Sequence, residues 1–267
     1  MGKNRQLVYL YCVADMEPKI NDSGNNLYSI SHNGLYAVAG RVEHQEFGEE
    51  GLNKKMADLE WIKKRAGLHE KVIEQVMSDI NVIPFKFATL FNTDNSLKAM
   101  LEQYDHEFKA ILRKLVNKQE WGIKIYCNMV KLKSGFLDSQ EKMLKIEDEI
   151  KTSSVGKGYF LKKKKDQLVA RMLNDRINEC GRESFELLKG LSFEARINRL
   201  LPKEMTERED DMILNSVFLV DREEMSNFQN MVNTLKIHYE SKGFFIDSTG
   251  PWPPYNFCGL SSEKSTK

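Results

Sequence analysis

The sequence predicts an α+β protein, because strand-like and helix-like segments with different apolar periods follow one another along the chain. The run LVYLYCV at residues 7–13 is rich in β-branched and aromatic residues, which is typical of a strand. Other stretches repeat apolar residues every three or four positions, which places them on one face of a helix. The chain has 267 residues, 41% of them hydrophobic, so it is long enough for two domains that each bury a core.

The first half of the chain predicts three strands, a helix, a fourth strand and a second helix. The strands are expected at residues 7–13, 27–30, 35–42 and 82–91. Asn33-Gly34 supplies the positive φ of a tight hairpin turn between the second and third strands. Pro84 lies near the start of the fourth strand and lacks an N–H donor, so we expect that end at an edge of the sheet.

Two apolar stripes define the helices of this half. The first runs from Leu59 to Ile80 and includes His69. The second follows the helix-start residues 94–96 and continues to Leu115. The first domain is therefore predicted as an α+β unit that spans residues 1–119.

The second half predicts the order β-α-β-β-α-β, which is the order of a ferredoxin-like domain. Its strands are expected at residues 121–130, 193–200, 211–220 and 244–248. Its helices are expected at residues 159–188 and 225–239, with a further charged helical segment at 141–151. This second domain spans residues 120–267 in the prediction and ends in an extended tail of prolines and aromatic residues.

Charge and apolar length argue against several classes of partner. Forty basic and 39 acidic residues give a net charge of +1, so no overall field favours nucleic acid or an anionic membrane. No apolar run approaches the roughly 18 residues of a membrane span, and the N-terminal residues do not resemble an export signal. The expected location is the cytoplasm. The four cysteines are widely spaced and form no CxxC motif, so we expect them reduced.

His69-Glu70 invites a comparison with zinc proteases, whose motif needs a second histidine one helical turn later. That position is Ile73, and His69 itself lies on the apolar stripe, so we expect a structural histidine. Gly156-Lys157-Gly158, with four lysines soon after, departs from the phosphate-binding loop pattern. A solvated lysine face is the expected role there, and a weak anionic contact stays open. No GxSxG motif occurs, and these residues predict no catalytic site, metal or cofactor.

The C-terminal segment GPWPPYNF holds three prolines and three aromatic residues within eight positions, which makes it stiff and extended. Two roles stay open, a plug on its own domain and a surface for a partner. We expect Trp252 and Tyr255 to anchor the tail onto the C-terminal domain. We also expect the prolines to turn the chain off the sheet after Ser248, because they lack ladder donors.

These landmarks together resemble the gas vesicle GvpF/GvpL family over almost the whole chain. The most specific is GPWPPY at residues 250–255; others are the opening strand, PFKFATLF at 84–91, EWGIK at 120–124, GYFL at 158–161 and LNSVFLV at 214–220. One departure is Ala88, where the family often has glycine. The residues that we single out as structural or partner-binding are Trp61, His69, Glu70, Pro84, Phe87, Thr89, Trp121, Pro251, Trp252, Pro253, Pro254 and Tyr255.

The resemblance implies a two-domain α+β fold with a ferredoxin-like C-terminal domain. It implies an accessory role in gas vesicle assembly, through contact with the hydrophobic shell subunit and with other accessory proteins. It brings no catalytic residue, metal or cofactor, and it does not separate the F branch from the L branch. A soluble protein can cover an apolar shell subunit with a groove or a sheet edge. A minor structural component retained in the finished vesicle is the alternative, and an enzyme with an unusual site is a third hypothesis.

Overall fold

The computed structural model describes residues 5–20, 26–137 and 148–259. The chain divides into two compact units, one of residues 1–119 with 251–267 and one of residues 120–250. Each unit contains one sheet, of five and four strands respectively. Most of the charged segment predicted at 141–151 lies outside the described residues.

The first sheet is antiparallel and is built around a central buried strand. Its strands are β1 (Gln6–Ala14), β2 (Leu27–His32), β3 (Leu35–Glu43), β4 (Val82–Pro84) and β5 (Leu90–Phe91). The order is β2-β3-β1-β4, and β5 also pairs with β1. Every residue of β1 after Gln6 is buried, as expected for an apolar strand covered on both faces. The predicted hairpin is confirmed, since Asn33 and Gly34 have φ values of 47° and 80°.

Helices accompany this sheet, and the predicted apolar stripes lie on those that begin at Leu59, Asp94 and Asp105. They span His44–Phe47, Glu49–Lys55, Leu59–Met77, Asp94–Gln103 and Asp105–Leu115. The Leu59–Met77 helix is capped by Asp58, whose carboxylate accepts from the Trp61 N–H at 3.1 Å.

The second predicted helix of this unit is divided in two. Tyr104 leaves the helical region with φ −106° and ψ 16°, so a new helix begins at Asp105. The prediction of one continuous helix was wrong because the apolar stripe continues across the bend. Both segments bury apolar residues, including Leu101 in the first and Phe108 in the second.

The second unit contains β6 (Lys118–Cys127), β7 (Glu194–Ile197), β8 (Asp211–Asp221) and β9 (Phe244–Trp252). The strand order is β7-β8-β6-β9. Its helices span Met129–Leu137, Val155–Lys189, Lys203–Thr206 and Met225–Glu240. Residues from the long helix and from the Met225–Glu240 helix share one core with the strands, including Leu173, Phe218 and Phe228. In this unit the predicted and observed strands agree in order, with bounds that differ by a few residues. In the first unit the strand predicted at 82–91 is instead divided into β4 and β5.

β9 corrects the expectation that the chain leaves the sheet after Ser248. The strand continues to Trp252 and so includes Pro251. β9 is the last strand of its sheet, and an edge strand tolerates proline where the missing N–H faces away from its neighbour. Gly250 has a φ of 140°, and a Cβ there would lie 2.9 Å from the Glu120 carbonyl oxygen. Only glycine fits this position without strain.

The tail differs from its predicted assignment. Residues 251–267 belong to the first compact unit, whereas the prediction placed them with residues 120–250. The tail's anchoring residues, described below, contact side chains far away in sequence, and no local pattern signals such contacts. Within the described ranges, no helix is both long and apolar enough to cross a membrane.

Candidate functional site

The predicted landmark residues of the first unit converge on His69. This side chain projects from the Leu59–Met77 helix and is only 1% exposed. Its Nδ1 lies 2.9 Å from the Tyr9 hydroxyl of β1. Its Nε2 lies 3.0 Å from the Phe85 carbonyl oxygen and 3.1 Å from the Tyr255 hydroxyl of the tail. One imidazole therefore links a strand, a connecting segment and the C-terminal tail.

The partners of His69 determine the direction of every hydrogen bond in this chain of groups. The Phe85 carbonyl can only accept, so Nε2 carries the proton and Nδ1 accepts from the Tyr9 O–H. The Tyr9 oxygen in turn accepts from the Ala88 N–H at 3.0 Å. Tyr255 accepts from Nε2–H and donates its own proton to Glu70 Oε1 at 3.0 Å. We call these groups, with Glu70 as the terminal acceptor, the His69 network.

The titration behaviour of the network favours uncharged rings. Burial lowers the pKa of His69 to about 4, and the hydrogen bond to Phe85 only partly opposes this shift. Burial also raises the pKa of Tyr9 and of Tyr255 well above their ordinary value, and the Glu70 charge adds to the shift of Tyr255. Burial raises the pKa of Glu70, which the hydrogen bond from Tyr255 partly offsets. At neutral pH the imidazole and both hydroxyls are neutral.

Aromatic rings pack around the buried imidazole of His69. Tyr11 stacks on His69 with ring centroids 5.6 Å apart, and Phe87 meets the imidazole edge-on at 6.0 Å. Trp61 contacts Phe87 at 6.1 Å and Phe47 at 5.5 Å. Such pairs contribute about 0.5–1.5 kcal/mol each beyond the burial of their area.

Trp61 is held by a charged partner at the border of this aromatic group. Its indole N–H donates to Glu46 Oε1 at 2.6 Å. Arg65 binds both oxygens of the same carboxylate, at 2.7 and 2.8 Å. Burial alone would raise the pKa of Glu46, but the hydrogen bonds from Trp61 and Arg65 outweigh it and lower the pKa. Glu46 is therefore a fixed anion that orients the indole.

The segment between β4 and β5 supplies the backbone groups of the network. The Phe85 N–H donates to the Tyr11 carbonyl at 2.9 Å, and the Leu10 N–H donates to the Thr89 carbonyl at 2.9 Å. Ala88 has a φ of 61°, which directs its N–H to the Tyr9 hydroxyl. A left-handed alanine costs about 1–2 kcal/mol, so this is the position where a family glycine would fit without strain.

Several buried residues anchor the tail. Pro253, Pro254 and Phe257 are buried, and the Lys114 ammonium donates to the Phe257 carbonyl at 3.2 Å. Trp252 is 43% exposed, and the anchoring role expected of its indole stays a prediction. Tyr255 is an anchor as expected, but on the first unit through His69 and Glu70. The prolines set the direction of the tail, and the Tyr255 hydroxyl and the buried Phe257 ring attach the tail to the first unit.

The structure thus unites part of the predicted set. Trp61, His69, Glu70, Phe87 and Tyr255 lie in or around the His69 network. The remaining residues lie elsewhere. Pro84 ends β4, and the Thr89 hydroxyl donates to the Lys86 carbonyl at 2.7 Å within a turn. Pro251 and Trp252 end β9, Pro253 and Pro254 are buried in the tail, and Trp121 lies in β6 of the second unit.

Sequence reasoning missed Tyr9, Tyr11, Glu46 and Arg65. The two tyrosines are two positions apart in a strand and so share one face, a signal that was present in the opening run LVYLYCV. Glu46 precedes Trp61 by 15 positions across two short helices, and no sequence period connects them.

The hydrogen bonds of the His69 network can hold the C-terminal tail rigidly on the first unit. Each ring nitrogen of His69 and each tyrosine hydroxyl already has a partner within the network. A general acid or base must present its proton to a substrate, and no atom of His69 is accessible for that. Among the described residues, no group of three or more His, Cys, Asp or Glu side chains is arranged to hold a metal ion.

Comparisons with known proteins agree with the resemblance seen in the sequence. Residues 7–259 match the family described as gas vesicle synthesis protein GvpL/GvpF. Gas vesicle protein L of Streptomyces sp. (strain CB03234) is 26% identical over 238 residues, which cover 88% of this chain and 84% of the relative. Gas vesicle protein L1 of Halobacterium salinarum is 24% identical over 262 residues, which cover 94% of this chain and 89% of the relative.

Solved structures share the fold. The crystal structure of the gas vesicle protein GvpF from Anabaena sp. PCC7120 matches with a TM-score of 0.70 at 19% identity, over 96% of this chain and 99% of that one. GvpF from Microcystis aeruginosa matches with a TM-score of 0.64 at 20% identity, over 95% and 99% of the two chains. Because the family match extends from β1 to the end of the described tail, the chain belongs to the gas vesicle synthesis protein GvpL/GvpF family.

Proposed function

We propose that this protein is an accessory factor of gas vesicle assembly that binds the hydrophobic shell subunit and other accessory proteins while the vesicle forms. The observation that carries the proposal is the match of residues 7–259 to a family of gas vesicle synthesis proteins. Its site of action is the cytoplasm and the growing vesicle.

A physical need supports a binding role. A shell subunit with a large apolar face aggregates in water unless another surface covers that face before assembly. A protein that covers it binds more tightly if it is already rigid, because flexible segments lose conformational entropy when binding orders them. The His69 network contributes such rigidity, since it fixes the tail on the first unit through partly buried hydrogen bonds.

We further propose that the protein is not an enzyme. A groove of about 1010 Å³ in the second unit is the place to look for catalysis, and Asp175, Arg176, Glu179, Arg182 and Lys242 line it. Arg176 is paired with Glu179 at 2.5 Å, and the Lys242 ammonium contacts His238 Nε2 at 2.7 Å. Burial and the nearby Arg176 charge lower the pKa of Lys242. This one shifted base does not form the nucleophile, base and oxyanion set that catalysis requires.

The second unit supports a finer structural proposal. Its strands lie side by side in the order β7-β8-β6-β9. Along the chain, helices lie between β6 and β7 and between β8 and β9. A ferredoxin-like domain would show this arrangement. We therefore propose that residues 120–250 fold as a ferredoxin-like domain.

Binding assays with the full chain test the proposed function. The chain is immobilised and exposed to the purified shell subunit and, separately, to each co-expressed accessory protein. We expect saturable binding of the shell subunit and of at least one accessory protein. Failure of the shell subunit to bind would contradict the proposal.

Purified vesicles distinguish an assembly factor from a retained component. Vesicles are washed with denaturant and probed for this chain. We expect the chain to be removed, because an assembly factor leaves the finished shell. Stoichiometric retention after the wash would support a structural component instead.

A further inference from the structure

The outer edge of β2 presents a regular row of backbone groups. β2 is the last strand on its side of the first sheet. The two-residue turn at Asn33-Gly34 makes His32 and Leu35 the first hydrogen-bonded pair of the hairpin. Such pairs alternate along an antiparallel ladder, so Tyr28 and Ile30 also direct their backbone groups toward β3. The N–H and C=O groups of the intervening residues, Leu27, Ser29 and Ser31, therefore point to the open edge.

Within the described residues, this edge lacks several of the features by which proteins prevent strand pairing. The β2 sequence LYSISH contains no proline, no lysine and no carboxylate, and its register with β3 has no bulge. Within the described part of the chain, no other segment forms a backbone hydrogen bond with the outward groups of Leu27, Ser29 or Ser31. Six residues give three outward N–H donors and three outward acceptors.

The opposite edge of the same sheet shows a different arrangement. There β4 has only three residues and ends in Pro84, and β5 has only two. The connection between them runs irregularly, with a left-handed Ala88, and bonds back to β1 through Phe85 and Thr89. Short strands, proline and irregular backbone all discourage pairing with another chain. One edge of the sheet is thus protected, whereas no described segment pairs with the β2 edge.

β2 is held firmly on both faces of the sheet. On one face the Tyr28 hydroxyl donates to Asp94 at 2.7 Å, which ties the strand to the Asp94–Gln103 helix. On the other face Leu27 packs against the apolar cluster that includes Val38, Val72 and Ile73. A strand that is fixed in this way has its edge groups already ordered for a partner, which reduces the entropy lost on binding.

We propose that the outer edge of β2 binds an extended, uncharged segment of an apolar partner as an added strand. The inference rests on the function proposed above, under which that partner is the gas vesicle shell subunit. The charges next to β2 favour an uncharged segment, because Arg41 and Asp94 already form an ion pair with each other. Among the described residues, a charged segment would therefore find these two charges already paired with each other.

Proline substitutions on β2 test this binding mode. Ser29→Pro and Ser31→Pro each remove one outward N–H and leave the ladder to β3 intact, and Ser29→Ala and Ser31→Ala are the matched controls. We expect each proline variant to weaken binding of the purified shell subunit by roughly tenfold or more, because one hydrogen bond is lost and the proline ring obstructs the added strand. The alanine variants should bind like the wild type, and all four should keep the wild-type melting temperature.

Hydrogen exchange gives a second measurement that does not depend on substitution. In the free chain the amides of Tyr28, Ile30 and His32 should be protected, and those of Leu27, Ser29 and Ser31 should exchange quickly. Addition of the shell subunit should protect the second set. Proline variants that melt like the wild type and bind with unchanged affinity, or fast exchange of the three amides in the complex, would overturn the inference.

The outcomes separate this inference from the function on which it rests. If the wild-type chain binds the shell subunit and the folded proline variants bind equally well, the function stands and the β2 edge is the wrong surface. If the wild-type chain does not bind the shell subunit, the function fails and the inference fails with it. A wild-type dimer that Ser31→Pro dissociates would show that the edge pairs with a second copy, and would also overturn the inference.

Discussion

His69 lies on an apolar helix face and attaches the C-terminal tail to the first unit through its hydrogen bond with Tyr255. Its two nitrogens have opposite roles, one as donor to Phe85 and one as acceptor from Tyr9. A charged imidazolium would have two donors, and the Tyr9 hydroxyl could then no longer donate to it. Burial and the fixed partners together stabilise the neutral ring, and this neutrality makes the stability of the first unit depend on pH.

We predict that His69→Gln removes a pH dependence from folding. The pKa of His69 is about 4 in the folded chain and about 6.5 when exposed, so the unfolded state binds the proton more readily. The contribution of His69 to the free energy of unfolding is complete above pH 6.5 and decreases as the pH falls toward 4. The full loss is roughly 3 kcal/mol at about 1.4 kcal/mol per pKa unit.

Urea unfolding of both chains between pH 7.5 and 4.5 measures this effect. For each chain, the change in the free energy of unfolding is taken relative to its own value at pH 7.5. The wild type should show the larger decrease over that range. Ser31→Ala, on the exposed hairpin, is the control and should follow the wild type because it removes no titratable group. Parallel curves for wild type and His69→Gln would show that the ring is not held neutral.

At the scale of elements, the buried Phe257 ring and the buried prolines attach the tail, whereas Trp252 is only partly buried. We predict that Phe257→Ala destabilises the chain by about 3–5 kcal/mol, because this ring is 2% exposed. Trp252→Ala should cost less than this, since Trp252 is 43% exposed. Thermal melting of the two variants gives the comparison, and the reverse order would contradict the observed anchoring.

The end of β9 depends on one glycine. Gly250→Ala places a methyl group 2.9 Å from the Glu120 carbonyl oxygen at a φ of 140°, so we predict a loss of at least about 1–3 kcal/mol. Gly67→Ala, within the Leu59–Met77 helix, is the matched control because nothing lies within 4 Å of the new methyl group. It should stabilise the chain by about 0.5–1 kcal/mol. Chemical denaturation checks both, and equal effects would argue against the backbone geometry of Gly250.

Local signals predicted the elements better than they predicted the contacts between them. The Leu59–Ile80 stripe and the Asn33-Gly34 turn were sufficient because helix periodicity and turn chemistry act over a few residues. The bend at Tyr104 escaped prediction because apolar spacing continues across it. The bond between Tyr255 and His69 joins positions 186 apart, and sequence distance of that order carries no local signal.

At the scale of the whole molecule, the tail contributes to the first unit although it follows the second in sequence. We predict that a chain ending at Gly250 loses hydrogen-exchange protection in β1 and in the Leu59–Met77 helix, because Tyr255 and Phe257 are removed. Protection in β8 should remain, and β8 serves as the internal control. Equal loss in both units, or no loss in β1, would contradict the assignment of the tail.

The central claim is that this family member acts in building the vesicle, and vesicle formation in a host that carries the remaining gas vesicle genes tests it most directly. The measurement is the pressure-sensitive light scattering of cells, which reports intact gas-filled vesicles, with and without the gene for this chain. We predict that scattering is lost without the chain and restored when the wild-type chain is supplied. Normal scattering in cells that lack the chain would contradict the account.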